Sequence, residues 1–224
     1  MNLLETELGE LKSELVDMTL MAKSQMERAI TAFYTHDHDL AKEVILNEKR
    51  VNGSELKIDS RCEHILALFN PVAIDLRFVV ASLKMVSDLE RIGDNAEGIS
   101  NYLIRSEKPF DPELIEILRF KEMTNVALEM LTILCESFET DNTKLARTVF
   151  SKDDMLDEIN VASNEIVAEY IRKNVNDKEK VEQAIYLLSI IRKVERVGDY
   201  VTNIAEEIIF YVKAKVLKHK KNKE

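Results

Sequence analysis

The sequence predicts an all-α protein made of two similar three-helix bundles, and three observations carry that expectation. Of 224 residues only 5 are glycine and 3 proline, which excludes a fold that depends on many tight turns, such as a sheet sandwich or barrel. Charged residues reach 32%, aromatics only 6%, and there is no tryptophan; the apolar remainder of Leu, Ile, Val, Ala and Met suits long packed helices. The third observation is an internal repeat, gapless at an offset of 105 residues. Met18-Thr19 recurs as Met123-Thr124, Phe33 as Phe138, Leu40-Ala41 as Leu145-Ala146, and Glu90-Arg91-Ile92-Gly93-Asp94 as Glu195-Arg196-Val197-Gly198-Asp199.

Each copy divides at its punctuation into three helices. In the first copy they run from Leu3 to Tyr34, Asp39 to Phe69 and Pro71 to Arg105; the breaks fall at Thr35-His36-Asp37-His38 and at Asn70-Pro71, where proline is tolerated only in a first helical turn. In the second copy they run from Pro112 to Phe138, Thr143 to Lys173 and Asp177 to Lys215, with Asp111 as N-cap and Pro112 in the first position. The expected organisation is a first repeat over 1–106, a linker over 107–112, a second repeat over 113–215 and a basic tail over 216–224. Short connections make neighbouring helices antiparallel, and two similar halves would pack about a pseudo-twofold axis.

Charge narrows the function classes. The net charge is −10, which argues against nucleic-acid binding. The segment from Lys213 to Glu224 holds six lysines and one acid, a net +5, which leaves −15 on the rest of the chain. Its simplest role is to complement the negative end of a last helix. No apolar stretch approaches the roughly 20 residues that cross a bilayer, and the first residues lack a signal-peptide pattern. Cys62 and Cys135 lie in apolar-periodic segments and read as reduced core thiols. A cytoplasmic protein is expected.

The third helix of each copy carries a core stripe, Met85, Leu89, Ile92, Ala96, Ile99 and Leu103, then Ile190, Val194, Val197, Val201, Ile204 and Ile208. Glu90 and Asp94, with their copies Glu195 and Asp199, lie one step round from it, four residues apart and so on one face. The second helix of each copy offers a face of Ala41, Ile45, Glu48, Asn52, Asp59, Cys62 and Leu66, repeated as Ala146, Phe150, Asp153, Asp157, Asn164, Val167 and Ile171. It is apolar at its ends and acidic in the middle. Carboxylates so placed need neutralising. One solution is a hard cation held by oxygen ligands from two antiparallel helices; the other is an interhelical ion pair with Arg91 or Arg196. The second copy offers four carboxylates, Asp153, Asp157, Glu195 and Asp199. The first has three, with Asn52 as a substitution, so the second centre is expected to bind more tightly. Gly93 and Gly198 cost about 1 kcal/mol each in mid-helix and are best explained by close approach of another helix.

Other chemistries lack their residues. None of the four histidines follows a glutamate by three, as an oxidase-type di-iron bundle requires. A structural zinc site would want Cys and His together. There is no P-loop and no dinucleotide fingerprint.

The segments Asp88-Leu89-Glu90-Arg91-Ile92-Gly93-Asp94-Asn95-Ala96, Val194-Glu195-Arg196-Val197-Gly198-Asp199, Asn70-Pro71-Val72-Ala73-Ile74-Asp75-Leu76-Arg77, Glu48-Lys49-Arg50-Val51-Asn52 and Asn203 to Phe210 resemble the signatures of the PhoU family, over nearly the whole chain. The resemblance implies two three-helix bundles and a cytoplasmic, dimeric, non-catalytic negative regulator of phosphate uptake and of the phosphate-starvation response. It implies two partners, the ATPase of a phosphate ABC transporter and a phosphate sensor histidine kinase. It also implies metal, Mg, Mn, Fe or Zn, on Glu90, Asp94, Glu195 and Asp199 and across the groove on Asp153 and Asp157, with Glu48 and Asn52 as a departing pair. The competing expectation is a carboxylate-bridged metal-dependent hydrolase of phosphate compounds.

Overall fold

The computed structural model describes residues 3–214. Helices α1 (Leu3–Thr35), α2 (His38–Phe69) and α3 (Ala73–Arg105) form the first bundle. The second comprises α4 (Pro112–Ile117), α5 (Phe120–Glu139), α6 (Thr143–Ala146), α7 (Phe150–Lys173) and α8 (Lys178–Lys213), with a 3-10 turn at Arg147–Val149 between α6 and α7. No strand occurs among the described residues. Both stripes predicted for α3 and α8 are buried along their whole length.

Local chemistry sets the boundaries. The Asp37 carboxylate accepts from the backbone N–H groups of Asp39 and Leu40, so α2 begins at His38, one residue before the expected start. Asn70 ends α2 in the left-handed conformation, φ 46°, which asparagine tolerates better than most residues. Pro71 is then excluded from α3, which starts at Ala73 after an extended Val72. Asp111 caps α4 with Pro112 at its start, as expected. The last helix ends at Lys213 rather than Lys215, and residues 215–224, which include the whole basic tail, lie outside the described residues.

Two expected helices are broken. The span from Pro112 to Phe138 divides at Arg119, whose φ is 52°. A continuous helix would put Leu118 and Phe120 on different faces; the elbow buries both, each 1% exposed. Bidentate pairing of the Arg119 guanidinium with Glu122 and a further bond to Glu158 brace it. The span from Thr143 to Lys173 passes through the 3-10 turn, which buries Thr143, Ala146 and Val149. Three residues per turn keep such positions in one line, where an α-helix would rotate them apart.

The halves pack through α3 against α8 and α1 against α5. In the antiparallel α3/α8 pair Lys84 meets Glu207, Asp88 bonds Asn203 and Gly98 lies under Lys193. The repeat offset turns Asp88 into Lys193 and Gly98 into Asn203, so these contacts map onto one another through a pseudo-twofold axis. The linker is strapped down: Gln183 accepts from Asp111 N–H and donates to the Pro109 carbonyl, and Tyr170 donates to Asp111. Phe110 is buried against Phe33 with ring centroids 4.7 Å apart, and Phe33 also meets Phe120 at 4.9 Å. One aromatic cluster thus joins α1, the linker and α5. Burial pushes the Cys62 thiol up to about 12 and the Cys135 thiol to about 11, and both are free.

Phe33→Ala removes the shared ring of this cluster and is expected to cost about 3–5 kcal/mol. Urea unfolding should still show a single transition, because the cluster belongs to both halves; two resolved steps would show that each half unfolds alone.

Candidate metal centres

Two helix pairs, α2/α3 and α7/α8, repeat one seam. The buried row of α2 is Ala41, Val44, Val51, Ile58, Cys62 and Ile65. The face predicted from sequence is therefore offset by one helical step, and Glu48, Asn52 and Asp59 border the seam instead of filling it. A Cβ on Gly93 would stand 3.2 Å from Val51 Cγ1; one on Gly198 would stand 2.6 Å from Leu156 Cδ1 and 2.5 Å from Asp153 Oδ1. The glycines let the helices approach, as expected, and the approach brings together the carboxylates on either side.

In the first centre Glu48, Glu90 and Asp94 each offer an oxygen, all within 4.8 Å of one another. Burial, reinforced by Asp94, Glu55 and Glu48, pushes Glu90 up to about 7. Burial also raises Glu48, with Glu97 and Asp94 adding to it, while a bond with Asn52 works the other way. Asn52 Oδ1 is buried with no hydrogen-bond partner.

The second centre is drawn deeper. Asp153, one methylene shorter than its counterpart Glu48, lies 9% exposed, and its Oδ1 is buried without a hydrogen-bond partner. Burial, then the charges of Asp199, Asp157 and Glu195, pushes it up to about 7. Burial raises Glu195 as well, with Asp199 and Asp157 adding to it and a bond with Asn160 opposing. Asn160 Oδ1 is a further buried oxygen without a partner. Asp157 and Asp199 are exposed at the mouth.

The structure therefore gathers Glu48, Asn52, Glu90 and Asp94 at one seam and sets Asp153, Asp157, Glu195 and Asp199 round the other. Sequence reasoning missed Glu55 and Asn160. Glu55 is raised by burial, with Asp59 and Asp94 adding to it, and it acts in turn on Glu90. The signal was present: Glu48, Asn52 and Glu55 are spaced i, i+4, i+7 on one helical face, and Asp153, Asp157 and Asn160 repeat the spacing. With Glu55 included, each seam carries four carboxylates and one asparagine oxygen, and among the described residues the close convergence of three carboxylates is found in the first. The carboxylate count on which the tighter second site was expected no longer differs.

The ion-pair solution is not used in the first centre. Arg91 turns to Asp88 at 3.3 Å and lies over the Tyr200 ring at 5.8 Å. An oxygen-only donor set with unpartnered buried oxygens suits a hard cation such as Mg, Mn or Fe; zinc, which favours Cys and His, fits these residues less well.

Comparison with known proteins places this geometry. The PhoU domain family matches residues 15–103 and again 120–208. The chain belongs to the PhoU family. It is 30% identical to the phosphate-specific transport system accessory protein PhoU of Escherichia coli over 95% of this chain and 86% of that one. It is 31% identical to the PhoU homolog of Aquifex aeolicus over 97% and 96%. The crystal structure of PhoU from Pseudomonas aeruginosa superposes with a TM-score of 0.84 at 26% identity, covering 94% of this chain and 99% of that chain. That of the phosphate transport system regulatory protein PhoU from Streptococcus pneumoniae gives 0.82 at 27%, over 96% and 99%. Both PhoU matches span one seam glycine and its flanking carboxylates. No described helix is long and apolar enough to cross a membrane.

Two outcomes test the seam. Gly198→Ala gains about 1 kcal/mol of helix propensity but drives a methyl into Leu156 and the Asp153 carboxyl; a net loss of about 1–2 kcal/mol is expected. Gly93→Ala, facing only Val51, should be nearly neutral, and equal effects in urea unfolding would contradict the seam geometry. The second outcome concerns pH. Folded Asp153 keeps its proton from its ordinary value of 3.8 up to about 7, where the unfolded chain has lost it. Cation-free protein should therefore lose stability as pH rises through that window, and Asp153→Asn should flatten the profile of melting temperature against pH.

Proposed function

We propose that the protein is a non-catalytic regulatory adaptor of phosphate homeostasis, a cytoplasmic negative regulator of phosphate uptake and of the phosphate-starvation response. In this reading it acts as a homodimer that contacts the ATPase of a phosphate ABC transporter and a phosphate sensor histidine kinase. The observation that carries the reading is nearly full-length similarity, across both repeats, to proteins named phosphate-specific transport system accessory protein PhoU. An adaptor works by binding one state of a partner more tightly than another, which demands a surface of fixed shape. The two centres serve that demand. Glu48, Asn52, Glu55, Glu90 and Asp94 would hold a cation between α2 and α3, and Asp153, Asp157, Asn160, Glu195 and Asp199 between α7 and α8. When bound, the cation supplies positive charge that neutralises the converging carboxylates. The residues themselves set helix spacing through Gly93 and Gly198, and Arg91 makes its ion pair with Asp88 and not with a carboxylate of the first site.

Calorimetric titration of manganese, then magnesium, into chelator-stripped protein should show saturable binding. Asp153→Ala/Asp199→Ala should remove one component and Glu48→Ala/Glu90→Ala the other; no binding by folded wild type would remove metal from the reading. For the adaptor role, a deletion strain should express phosphate-starvation genes in rich phosphate, and restoring the gene should silence them. Genes that stay silent in the deletion strain would sink the role.

A further inference from the structure

Two of the buried side-chain atoms without a hydrogen-bond partner lie outside the carboxylate centres and on neighbouring rings: His36 Nδ1 and His38 Nε2. The rings meet edge to face, with centroids 4.6 Å apart and planes at 67°. They occupy the turn between α1 and α2, and local hydrogen bonds hold them there. The Asp37 N–H donates to the Ala32 carbonyl at 3.0 Å and the His36 N–H to that of Phe33 at 3.4 Å. This closes α1 with His36 left-handed, φ 51°, at a place more usually held by glycine. Asp37 then caps α2, and His38 is its first residue. A single residue separates the two histidines, and it is fixed through both its N–H and its carboxylate.

A buried polar atom left unpaired costs about 1–3 kcal/mol. For an imidazole nitrogen without a proton, a metal ion is an alternative partner to a hydrogen-bond donor. An ion held about 2.0–2.1 Å from each of two such nitrogens stands about 3.2 Å from each ring centre, so centres 4.6 Å apart subtend about 90° at it. That angle suits the tetragonal preference of copper(II) or nickel(II) better than the tetrahedral one of zinc. The surroundings favour a cation. Asp37 and Asp39 alternate with the histidines, and the chain as a whole is acidic. Asp39 is turned to Lys42 and Asp37 to the backbone of α2, so the rings supply the ligands and water completes the shell.

We propose that His36 Nδ1 and His38 Nε2 chelate a divalent ion of the copper or nickel type, joining the end of α1 to the start of α2. The donor set separates this site from the carboxylate centres, with imidazole nitrogen here and hard oxygen there. The proposal goes beyond the adaptor role and does not depend on any cation at the carboxylate seams. Its position gives the ion a structural consequence. Phe33, whose ring meets Phe110 of the linker and Phe120 of α5, lies three residues before His36, so a bound ion steadies the end of α1 on which the two halves join.

The test is electron paramagnetic resonance of the full chain with one equivalent of copper(II), in excess magnesium to fill the carboxylate centres. Nitrogen couplings from two imidazoles are expected in wild type, a signature that oxygen donors cannot produce. His36→Asn/His38→Gln keeps a residue that tolerates the left-handed position and should melt like wild type. Its copper should lose the imidazole pair and bind roughly tenfold or more weakly. His64→Gln/His219→Gln should keep the wild-type signal. Oxygen-only coordination or a single imidazole in wild type overturns the proposal. An imidazole pair that survives in the first variant, or disappears in the second, overturns it as well.

Discussion

Mutual repulsion of carboxylates held across a glycine-tight seam is the constraint on which this molecule turns. On an ordinary solvated helix face, acidic side chains separate and stay hydrated at little cost. Here they cannot, because Val51 on Gly93 and Leu156 on Gly198 fix how close the helices come. One carboxyl in each half, Glu90 and Asp153, is pushed up to about 7. Burial is the larger cause in both, and neighbouring acids add to it. Such a seam is satisfied by protons at low pH or by a counter-cation at neutral pH, and nothing apolar can substitute for either.

The two halves meet this constraint with different residues on one frame. Glu48, Asn52 and Glu55 become Asp153, Asp157 and Asn160 under the repeat, so the asparagine changes place and the deepest acid changes length. The longer Glu48 side chain reaches the mouth, where its oxygen joins those of Glu90 and Asp94. The shorter Asp153 stays against Gly198, under a mouth formed by exposed Asp157 and Asp199. Similar difference marks the junction of the halves, where Asp88 on α3 corresponds to Lys193 on α8. Burial pushes Asp88 up to about 6, whereas Lys193 lies across Gly98. Pseudo-symmetry therefore sets the architecture, and the exchanges make its two centres chemically distinct.

The all-α class, the duplication, the α3 and α8 stripes and the glycine contacts were legible because each follows from local spacing. Asp111 with Pro112 also announced its helix start. Less legible were features decided by what packs opposite. Arg119 carries no turn signal, being neither Gly nor Asn, and its left-handed conformation lets Leu118 and Phe120 both be buried, Phe120 against Phe33 of α1. The α2 face lies one step from its expected place because its polar residues border the seam; Val44, Val51, Ile58 and Ile65, seven residues apart, are the row that is buried. Glu55 is less legible because it lies outside the i, i+4 pair formed by Glu48 and Asn52. The i, i+7 spacing puts Glu55 and Asn160 on the right face, and the α3 and α8 carboxylates packed opposite decide that this face is part of a centre.

Helices α3 and α8 belong to every part of this arrangement at once. One side of each carries the carboxylates and glycine of a centre, and another side packs against its counterpart across the pseudo-twofold axis. Close-packed helices do not deform continuously. A change of spacing at the α2/α3 seam, where charge is either balanced or not, must therefore be taken up at the α3/α8 junction, where Lys84 and Glu207 and the Asp88–Asn203 contact lie. The same α3 begins just after the extended Val72 and ends at the linker that Gln183 and Tyr170 tie to the second half. A cation bound at a carboxylate centre would thus be coupled by continuous packing to both ends of the molecule, which is the physical requirement of the adaptor reading proposed above.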